Sequence, residues 1–393
     1  MSFFISNKSV TLVCYMIILC LLMPLTVTAK ELDFNLKSES ALLMDFNSGE
    51  IIYQKNSNQK LPPASITKVM TMLLVMEALE EGRAKLADTI TVSEHAASMG
   101  GSQIWLEPGE EMGLEELLKA VAIVSANDAC VALAEYLYGT EEEFIEEMNL
   151  KAQELGMKNT KFYNTNGLPI KEESGGGNHT TAYDVALMTR ELLEYPRILN
   201  YTSRWIDHLR DGDSFLRNTN KLVRFYDGAD GVKTGYTTEA GFCLSATAKR
   251  KGLRFISVIM NAPSSPVRFS ESKELLSSAF NIYRSFLVVE TEDLIGKIKV
   301  FKGEEKQVSV VPKEKLRVSV LKGAENNLLK RTILKNQVTA PVDKGDKLGE
   351  ILIFKGEKEI GRVDLIAKDD IKKAGYLGII INLWSEFINN LIA

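Results

Sequence analysis

Apolar and polar residues follow two different patterns along this chain, and the change falls near residue 290. Before it, helical and strand periodicities are interspersed. An almost unbroken apolar run over residues 67–79 is too long for a strand and predicts a helix buried on nearly every side. Other segments predict a hairpin over 42–53, strands over 241–247 and 253–261, and helices over 114–124, 128–137, 181–193 and 270–287.

After residue 290 the chain consists of short segments in which apolar and polar residues alternate, separated by Lys-Gly turns. Residues 297–300, 316–320 and 351–354 are examples. Regular strands of this length predict a small β-sandwich or barrel of about 80 residues. This segment carries no constellation of catalytic side chains, and we interpret it as a spacer or docking module.

The first 29 residues have the pattern of a secretory signal peptide. Lys8 precedes an apolar run over residues 10–25, and Val27 and Ala29 place small side chains three positions and one position before a cleavage point. We predict removal of residues 1–29 on export. An uncleaved membrane anchor is the alternative, because the apolar run is long for a signal.

Residues 374–393 predict an amphipathic helix. Asn382, Glu386 and Asn389 gather on one face, whereas most of the other positions are apolar. Polar groups along the middle of the segment disfavour a membrane-spanning helix and favour one lying at the membrane surface. Lys372 and Lys373 suit anionic lipid headgroups. Packing of this helix on the protein's own core or on a partner is the alternative.

The composition is that of a globular protein, with 45% apolar residues, 25% charged residues and a formal net charge of −5. No basic excess suggests nucleic-acid binding. Three histidines and four cysteines leave little material for a metal site, and we expect no metal or cofactor. After cleavage only Cys130 and Cys243 remain. We interpret them as buried small hydrophobic residues, although a single disulfide between them stays open.

The first motif that carries chemistry is Ser65-Ile66-Thr67-Lys68, at the start of the predicted buried helix. A spacing of three places Ser65 and Lys68 on one helix face. A serine hydroxyl is a poor nucleophile until a base takes its proton, and Lys68 can serve if burial and nearby positive charge lower its pKa. Alone the motif is weak, because residues 57–60 and 270–273 also match it, which we interpret as surface coincidences.

Two further short motifs accompany the first. Ser125-Ala126-Asn127 falls between two predicted helices, where a loop could present both polar side chains or simply cap the second helix. Lys233-Thr234-Gly235 lies in strand-like sequence. Its lysine and hydroxyl suit a carboxylate, and Gly235 lets a substrate backbone lie close. A glycine turn with a solvated lysine is the alternative.

The three motifs, in this order, resemble those of β-lactamases and penicillin-binding proteins. The whole chain is similar to a low-molecular-mass penicillin-binding protein, a D-alanyl-D-alanine carboxypeptidase of the S11 peptidase family. Residues 61–64, 164–169 and 268–272 are smaller points of similarity. The resemblance implies an α+β fold: a serine β-lactamase/transpeptidase-like domain with an antiparallel sheet and helices, then a small all-β domain and a C-terminal amphipathic helix. The expected segments are 1–29 signal peptide, 30–288 catalytic domain, 289–373 β domain and 374–393 membrane anchor.

The resemblance also implies the catalytic roles. Ser65 would attack the carbonyl between two terminal D-alanines and form an acyl-enzyme, with Lys68 as the base. Ser125 would relay a proton to the leaving amine, and Asn127 would hold Lys68 and the substrate amide. Backbone N–H groups of Ser65 and Tyr236 would form the oxyanion hole.

The same resemblance implies the binding residues and partners. Lys233 and Thr234 would bind the terminal carboxylate beside Gly235 and Tyr236, and Arg268 is a further candidate near that carboxylate. The substrate would be a peptidoglycan stem peptide, and β-lactam antibiotics would be covalent inhibitors. The enzyme would act at the outer face of the bacterial cytoplasmic membrane.

Alternative functions stay open on the sequence. They are a related endopeptidase, transpeptidase or β-lactamase, and a non-catalytic penicillin sensor or wall-binding protein. The second motif reads S-A-N where class A β-lactamases have S-D-N, and no E-x-x-L-N element is placed to activate a deacylating water. Both departures disfavour a β-lactamase.

Overall fold

The structure is a computed structural model and describes residues 33–170 and 176–376. The predicted signal peptide and nearly all of the predicted C-terminal amphipathic helix lie outside these residues. Within the described part of the chain, no helix is both long and apolar enough to cross a membrane.

The helices before residue 283 include all five that the sequence pattern predicted in the first part of the chain. The α-helices are α1 (Lys68–Glu80), α2 (Glu94–Ala97), α3 (Leu114–Ile123), α4 (Asn127–Tyr138), α5 (Glu141–Glu154), α6 (Ala182–Leu193), α7 (Leu199–Thr202), α8 (Leu222–Phe225) and α9 (Ser265–Ile282). Short 3-10 turns cover Ala64–Thr67, Pro196–Ile198, Arg210–Gly212 and Glu325–Asn327.

The strands of the first module form one antiparallel sheet and two short hairpins. They are β1 (Ser40–Asp45), β2 (Ile51–Lys55), β3 (Thr89–Thr91), β4 (Glu111–Gly113), β5 (Ile206–Leu209), β6 (Ser214–Arg217), β7 (Ala229–Thr237), β8 (Gly241–Arg250) and β9 (Leu253–Ala262). The main sheet has the order β2-β1-β9-β8-β7, and the hairpins pair β3 with β4 and β5 with β6. The predicted hairpin at 42–53 and the two predicted strands are confirmed as β1–β2, β8 and β9.

Helix α1 is the centre of the main core. Its residues from Lys68 to Ala78 are all buried, because it packs against α3, α4, α5 and α6 as well as β7. Helices α6 and α9 pack on the sheet, mainly on β9. A helix enclosed in this way can be apolar on every face, which explains the unbroken apolar run that predicted it.

The second module is all β, as predicted. Its strands are β10 (Tyr283–Val289), β11 (Gly296–Phe301), β12 (Gln307–Pro312), β13 (Leu316–Leu321), β14 (Leu328–Leu334), β15 (Gln337–Thr339), β16 (Lys347–Lys355) and β17 (Lys358–Ala367). The order β14-β16-β17-β12-β11-β15 forms a six-stranded sheet, and β10 pairs with β13. The strands enclose a separate hydrophobic core.

The predicted helix over 270–287 is wrong at both ends. Helix α9 begins at Ser265, where the Ser264 hydroxyl caps Val267 N–H and Pro266 occupies the first turn. It ends at Ile282, because aromatic and β-branched residues from Tyr283 onward form β10 and pair with β13. Tertiary pairing overrides the helical periodicity here.

Candidate active site

Ser65 and Lys68 are positioned by a 3-10 turn that runs directly into α1. Ser65 lies within the turn Ala64–Thr67, and Lys68 is the first residue of the helix. The Lys68 ammonium donates a hydrogen bond of 3.0 Å to the Ser65 hydroxyl. The spacing of three residues therefore brings the two side chains together, as the sequence pattern indicated.

Lys68 is completely buried, and polar groups surround its amine. The Lys68 Nζ atom donates to Asn127 Oδ1 at 2.6 Å and to the Asn166 carbonyl at 2.8 Å. Burial lowers the pKa of Lys68 to about 8, against smaller opposing effects of Cys130 and Asp128. An amine with this pKa is partly neutral near neutral pH and can accept the Ser65 proton.

Ser125 lies in the connection between α3 and α4, and Asn127 is the first residue of α4. Asn127 donates from Nδ2 to the Gly100 carbonyl at 2.7 Å, which directs its Oδ1 atom toward Lys68. Ser125 has a left-handed backbone, with φ of 69°, and its buried hydroxyl has no hydrogen-bond partner among the described residues. An unpaired buried hydroxyl costs about 1–3 kcal/mol, so its presence beside Asn127 calls for a functional explanation.

The third motif lies on β7 at the edge of the sheet. Lys233 and Thr234 are both buried, and Thr234 Oγ1 donates to the Thr219 hydroxyl at 2.7 Å. A Cβ atom on Gly235 would lie 2.8 Å from the Pro63 carbonyl oxygen and 3.2 Å from Ile66 N. Only glycine therefore lets the strand backbone lie directly against the turn that carries Ser65.

Lys233 is the second buried lysine of the site. Its Nζ atom donates to the carbonyl of the adjacent Thr234 at 3.1 Å. Burial and the positive charge of Lys68 both lower the pKa of Lys233 well below its ordinary value. An incoming anion would reverse this effect, since it favours the charged form of the lysine.

Arg268 lies behind the third motif. Its NH1 atom donates to the Gly235 carbonyl at 2.9 Å and to the Cys243 carbonyl at 3.1 Å, so it braces β7 against β8. Burial lowers the pKa of Arg268 to about 10. Tyr236 is 55% exposed and stacks on Phe242, with ring centroids 4.3 Å apart. The expected contact between Arg268 and a substrate carboxylate stays a prediction.

Two family models match the chain. The model described as D-alanyl-D-alanine carboxypeptidase, peptidase S11, matches residues 26–264, and the penicillin-binding protein 5 C-terminal domain matches residues 283–373. The D-alanyl-D-alanine carboxypeptidase DacF of Bacillus subtilis is 44% identical over 358 residues, which cover 89% of this chain and 91% of that protein. The chain belongs to the S11 family of D-alanyl-D-alanine carboxypeptidases. It is a serine peptidase.

Solved structures agree with this assignment. A peptidoglycan synthesis regulatory factor, PBP3, of Streptococcus pneumoniae is similar with a TM-score of 0.75 and 28% identity, covering 86% of this chain and 100% of that one. Penicillin-binding protein D2 of Listeria monocytogenes, in its ampicillin-bound form, is similar with a TM-score of 0.58 and 30% identity. That match covers 63% of this chain and 100% of the Listeria chain.

The structure adds residues to the S11 site that the motifs did not identify. Asn166 contributes a backbone carbonyl to Lys68, and Thr219 contributes a hydroxyl to Thr234. The glycine-containing turn at 164–167 was a visible signal for Asn166, because Asn and Gly cluster in turns. Thr219 carries no local signal, since only the packing of its loop brings it to β7.

Glu141 was also missed. Its Oε1 atom accepts hydrogen bonds from the Thr165 N–H at 3.1 Å and the Thr165 hydroxyl at 2.8 Å. The Thr165 carbonyl in turn accepts from Thr71 of α1 at 2.6 Å. Glu141 therefore fixes the peptide next to Asn166, whose carbonyl holds Lys68. In sequence it looked like one of several acidic residues that begin α5.

The cysteines and acidic groups form no metal site in the described ranges. No group of three or more His, Cys, Asp or Glu side chains that could hold a metal ion occurs in residues 33–170 and 176–376. Cys130 and Cys243 are both buried free thiols, so their interpretation as small hydrophobic residues is confirmed. Burial raises the pKa of Cys130 to about 12 and that of Cys243 to about 11, which keeps both unreactive.

Proposed function

We propose that this enzyme removes the terminal D-alanine from peptidoglycan stem pentapeptides through an acyl-enzyme on Ser65. The observation that carries the proposal is the 3.0 Å contact between the Ser65 hydroxyl and a completely buried Lys68 whose pKa is lowered to about 8. In a chain with only three histidines, this pair supplies the nucleophile and the base.

Acylation begins when neutral Lys68 takes the Ser65 proton. The Ser65 oxygen bonds to the carbonyl carbon of the penultimate D-alanine, and the carbonyl electron pair moves onto its oxygen. Collapse of this intermediate breaks the bond to the terminal D-alanine, whose nitrogen leaves with a proton relayed through the Ser125 hydroxyl. The unpartnered Ser125 Oγ supports this role, because it is free to bond in the substrate complex.

The substrate carboxylate would bind at the third motif. The terminal carboxylate accepts hydrogen bonds from Thr234 and pairs with Lys233, which becomes protonated beside the anion. The carboxylate and the charged Lys233 together add no net charge beside Lys68, whose pKa is lowered mainly by burial.

Backbone donors complete the site. Gly235 lies against the Ser65 turn, which supports an oxyanion hole made of the Ser65 and Tyr236 N–H groups. One such donor is typically worth about 10²–10³ in rate. Arg268 would hold this geometry through the Gly235 carbonyl.

Deacylation completes the reaction. Water attacks the Ser65 ester and releases the shortened peptide. A β-lactam would acylate the same serine.

The first experiment follows release of D-alanine from a pentapeptide that ends in D-Ala-D-Ala. We expect release by the wild type and its loss in Ser65→Ala. Ser270→Ala is the matched control, because Ser270 begins another S-x-x-K sequence but is exposed on α9 and should retain activity. Release that persists in Ser65→Ala would exclude Ser65 as the nucleophile. Wild-type enzyme that forms a benzylpenicillin adduct but releases no D-alanine would favour a penicillin-binding, non-catalytic role.

We also propose that the enzyme is exported and attached to the outer face of the cytoplasmic membrane by residues 374–393. The support is the sequence pattern of that segment, with Lys372 and Lys373 next to it. Deletion of residues 374–393 should move the protein from the membrane fraction to the soluble fraction while the rate of penicillin acylation is retained. Membrane retention of the deletion variant would contradict the proposal.

A further inference from the structure

Three consecutive polar residues, Asn218, Thr219 and Asn220, lie in the loop between β6 and α8. Asn218 and Asn220 are buried, with only 4% and 1% of each residue exposed. A buried amide side chain costs free energy unless its donors and acceptor are hydrogen-bonded. The partners of these two asparagines therefore indicate which parts of the molecule the loop holds.

Asn218 gives the loop its conformation. Its Nδ2 atom donates to the Thr202 carbonyl at 3.0 Å and to the Arg204 carbonyl at 2.8 Å. Its Oδ1 atom accepts a hydrogen bond from the Asn220 N–H at 2.8 Å. Both ends of the Asn218 amide thus bind backbone groups, which fixes the loop against the end of α7.

Asn220 connects this loop to β7. The Asn220 Nδ2 atom donates to the Gly231 carbonyl at 2.9 Å. Gly231 precedes Lys233 by two residues on that strand. The Thr202 hydroxyl donates to the neighbouring Asp230 carbonyl at 2.7 Å. Two buried side chains therefore hold the backbone that leads to Lys233.

These contacts are important because β7 is an edge strand. The main sheet ends at β7, and in residues 33–170 and 176–376 no strand pairs with its outer edge. A central strand is fixed by hydrogen bonds on both sides, whereas β7 has this ladder only with β8. The beginning of β7 therefore depends on side chains such as Asn220 for its position at the outer edge.

The same loop reaches Thr234 and the connection that carries Ser125. The Thr219 hydroxyl accepts a hydrogen bond from Thr234 Oγ1 at 2.7 Å. The Thr219 N–H donates to the carbonyl of Ile123, two residues before Ser125, at 3.1 Å. The loop thus bridges the second and third motifs and fixes one relative to the other.

The later part of β7 is anchored by different groups. Gly235 packs on the turn that carries Ser65, and Arg268 NH1 donates to the Gly235 carbonyl at 2.9 Å. Loss of the contact made by Asn220 should therefore displace Lys233 more than it displaces Gly235.

We propose that Asn220 is a positioning residue for the carboxylate end of the substrate. Through Gly231 it holds Lys233 at the place where the carboxylate is bound while the reacting carbonyl lies at Ser65. The inference rests on the proposed binding of a carboxylate by Lys233 and Thr234. Without the Asn220 contact, recognition of the carboxylate weakens and the reaction at Ser65 itself is largely retained.

The experiment compares acylation by benzylpenicillin with acylation by its methyl ester, which lacks the negative charge. We expect the wild type to react faster with the acid. Asn220→Asp replaces the donor to the Gly231 carbonyl by an oxygen but retains an acceptor for the Leu222 N–H. Its second-order rate constant with the acid should fall by at least about tenfold, because a displacement of about 1 Å can cost about 10²-fold. The rate constant with the ester should change much less.

Two further positions complete the comparison. Thr202→Val removes the donor to the Asp230 carbonyl without adding charge and should also lower the acid-to-ester ratio, whereas Thr202→Ser should restore it. Asn149→Asp is the matched control on α5. Asn149 Nδ2 also bridges two carbonyls, those of Ile145 and Phe162, but neither belongs to β7, so the ratio should not change.

The inference and the proposed function can fail separately. Equal falls of both rate constants in Asn220→Asp would show that the residue only stabilises the fold, and this result or an unchanged ratio would overturn the inference alone. If Asn220→Asp does not fold, the ratio in Thr202→Val decides in the same way. Equal wild-type rate constants for acid and ester would instead contradict the carboxylate role of Lys233 and Thr234, and the inference with it. Absence of D-alanine release would contradict the carboxypeptidase function while the penicillin comparison still tests Asn220.

Discussion

Lys68 shows how burial changes the acid–base behaviour of an ordinary residue. In water a lysine amine is protonated far above neutral pH, whereas in this site burial lowers the pKa of Lys68 to about 8. Asn127 and Asn166 accept hydrogen bonds from the amine, and they add no negative charge close to it. Neutral hydrogen-bond partners thus preserve the effect of burial.

The lowered pKa predicts how acylation depends on pH. Only neutral Lys68 can accept the Ser65 proton, so the second-order rate constant for benzylpenicillin should rise about tenfold per pH unit well below pH 8. It should level off above the pKa of Lys68, which is about 8. Stopped-flow measurements from about pH 6 to pH 9 test this expectation.

A matched control uses a carboxylate remote from the buried amine. Asp227 has a side chain that is 90% exposed, and Asp227→Asn should leave the midpoint of the pH profile unchanged. A wild-type rate that does not vary with pH over this range would show that Lys68 is not the base whose protonation limits acylation.

At the scale of elements, the site is assembled by contacts between loops and helix ends. Glu141, the first residue of α5, accepts a hydrogen bond from Thr165 N–H. The carbonyl of the following residue in that turn, Asn166, accepts a hydrogen bond from Lys68. Gly167 has φ of 84°, and a Cβ atom there would lie 1.9 Å from the Ala64 carbonyl oxygen. The 164–167 turn is therefore packed on the Ser65 turn as closely as the backbone allows.

Glu141→Ala should impair this positioning. It leaves the Thr165 N–H and hydroxyl without their acceptor, at a cost of about 1–3 kcal/mol in the free energy of unfolding for each buried donor. The rate of benzylpenicillin acylation should fall, because the Asn166 carbonyl is no longer fixed against Lys68. Denaturant unfolding and acylation kinetics measure the two effects.

Glu141→Gln is the conservative comparison, since its amide oxygen can still accept both hydrogen bonds and should restore most of the acylation rate. Glu142→Ala changes the exposed neighbour on α5 and should have little effect on either measurement. A normal acylation rate in Glu141→Ala would show that Thr165 needs no support from α5.

At the scale of the whole molecule, the all-β second module contacts the first module through one buried hydrogen bond and one partly exposed ion pair. The Ser319 hydroxyl of β13 donates to the buried carboxylate of Asp45 at the end of β1. Burial raises the pKa of Asp45. Lys355 and Glu50 form a second contact of 2.8 Å, but their side chains are 36% and 23% exposed.

Ser319→Ala should destabilise the protein more than Glu50→Gln does. Loss of the donor leaves an Asp45 oxygen buried without this partner, and a hydrogen bond to a charged group is worth about 1.5–3 kcal/mol. The partly exposed ion pair should contribute less than about 1 kcal/mol. Guanidinium unfolding of the full chain measures the free energy of unfolding of both variants. Equal losses would show that the difference in burial does not decide how much each contact stabilises the protein.

The sequence predicted most elements because their periodicity agreed with their final environment. The apolar run of α1 and the largely apolar segments of β8 and β9 are local signals of burial. The helix predicted over 270–287 failed where the local pattern and the final pairing disagree, since β10 exists only through β13. Glu141 and Thr219 were missed because their partners are distant in sequence.

The sequence by itself determined the motifs of the candidate site: a serine with a lysine three residues later, a second polar motif and a lysine-threonine-glycine sequence. These motifs are short, so residue type and spacing are enough to reveal them. Only the tertiary structure decided that Lys68 is fully buried, that Gly235 lies against the Ser65 turn and that Glu141 holds Thr165. The physical reason is that burial and close packing depend on segments far apart in the chain. The pKa of a lysine is lowered, and a turn is held in place, only after those segments have come together.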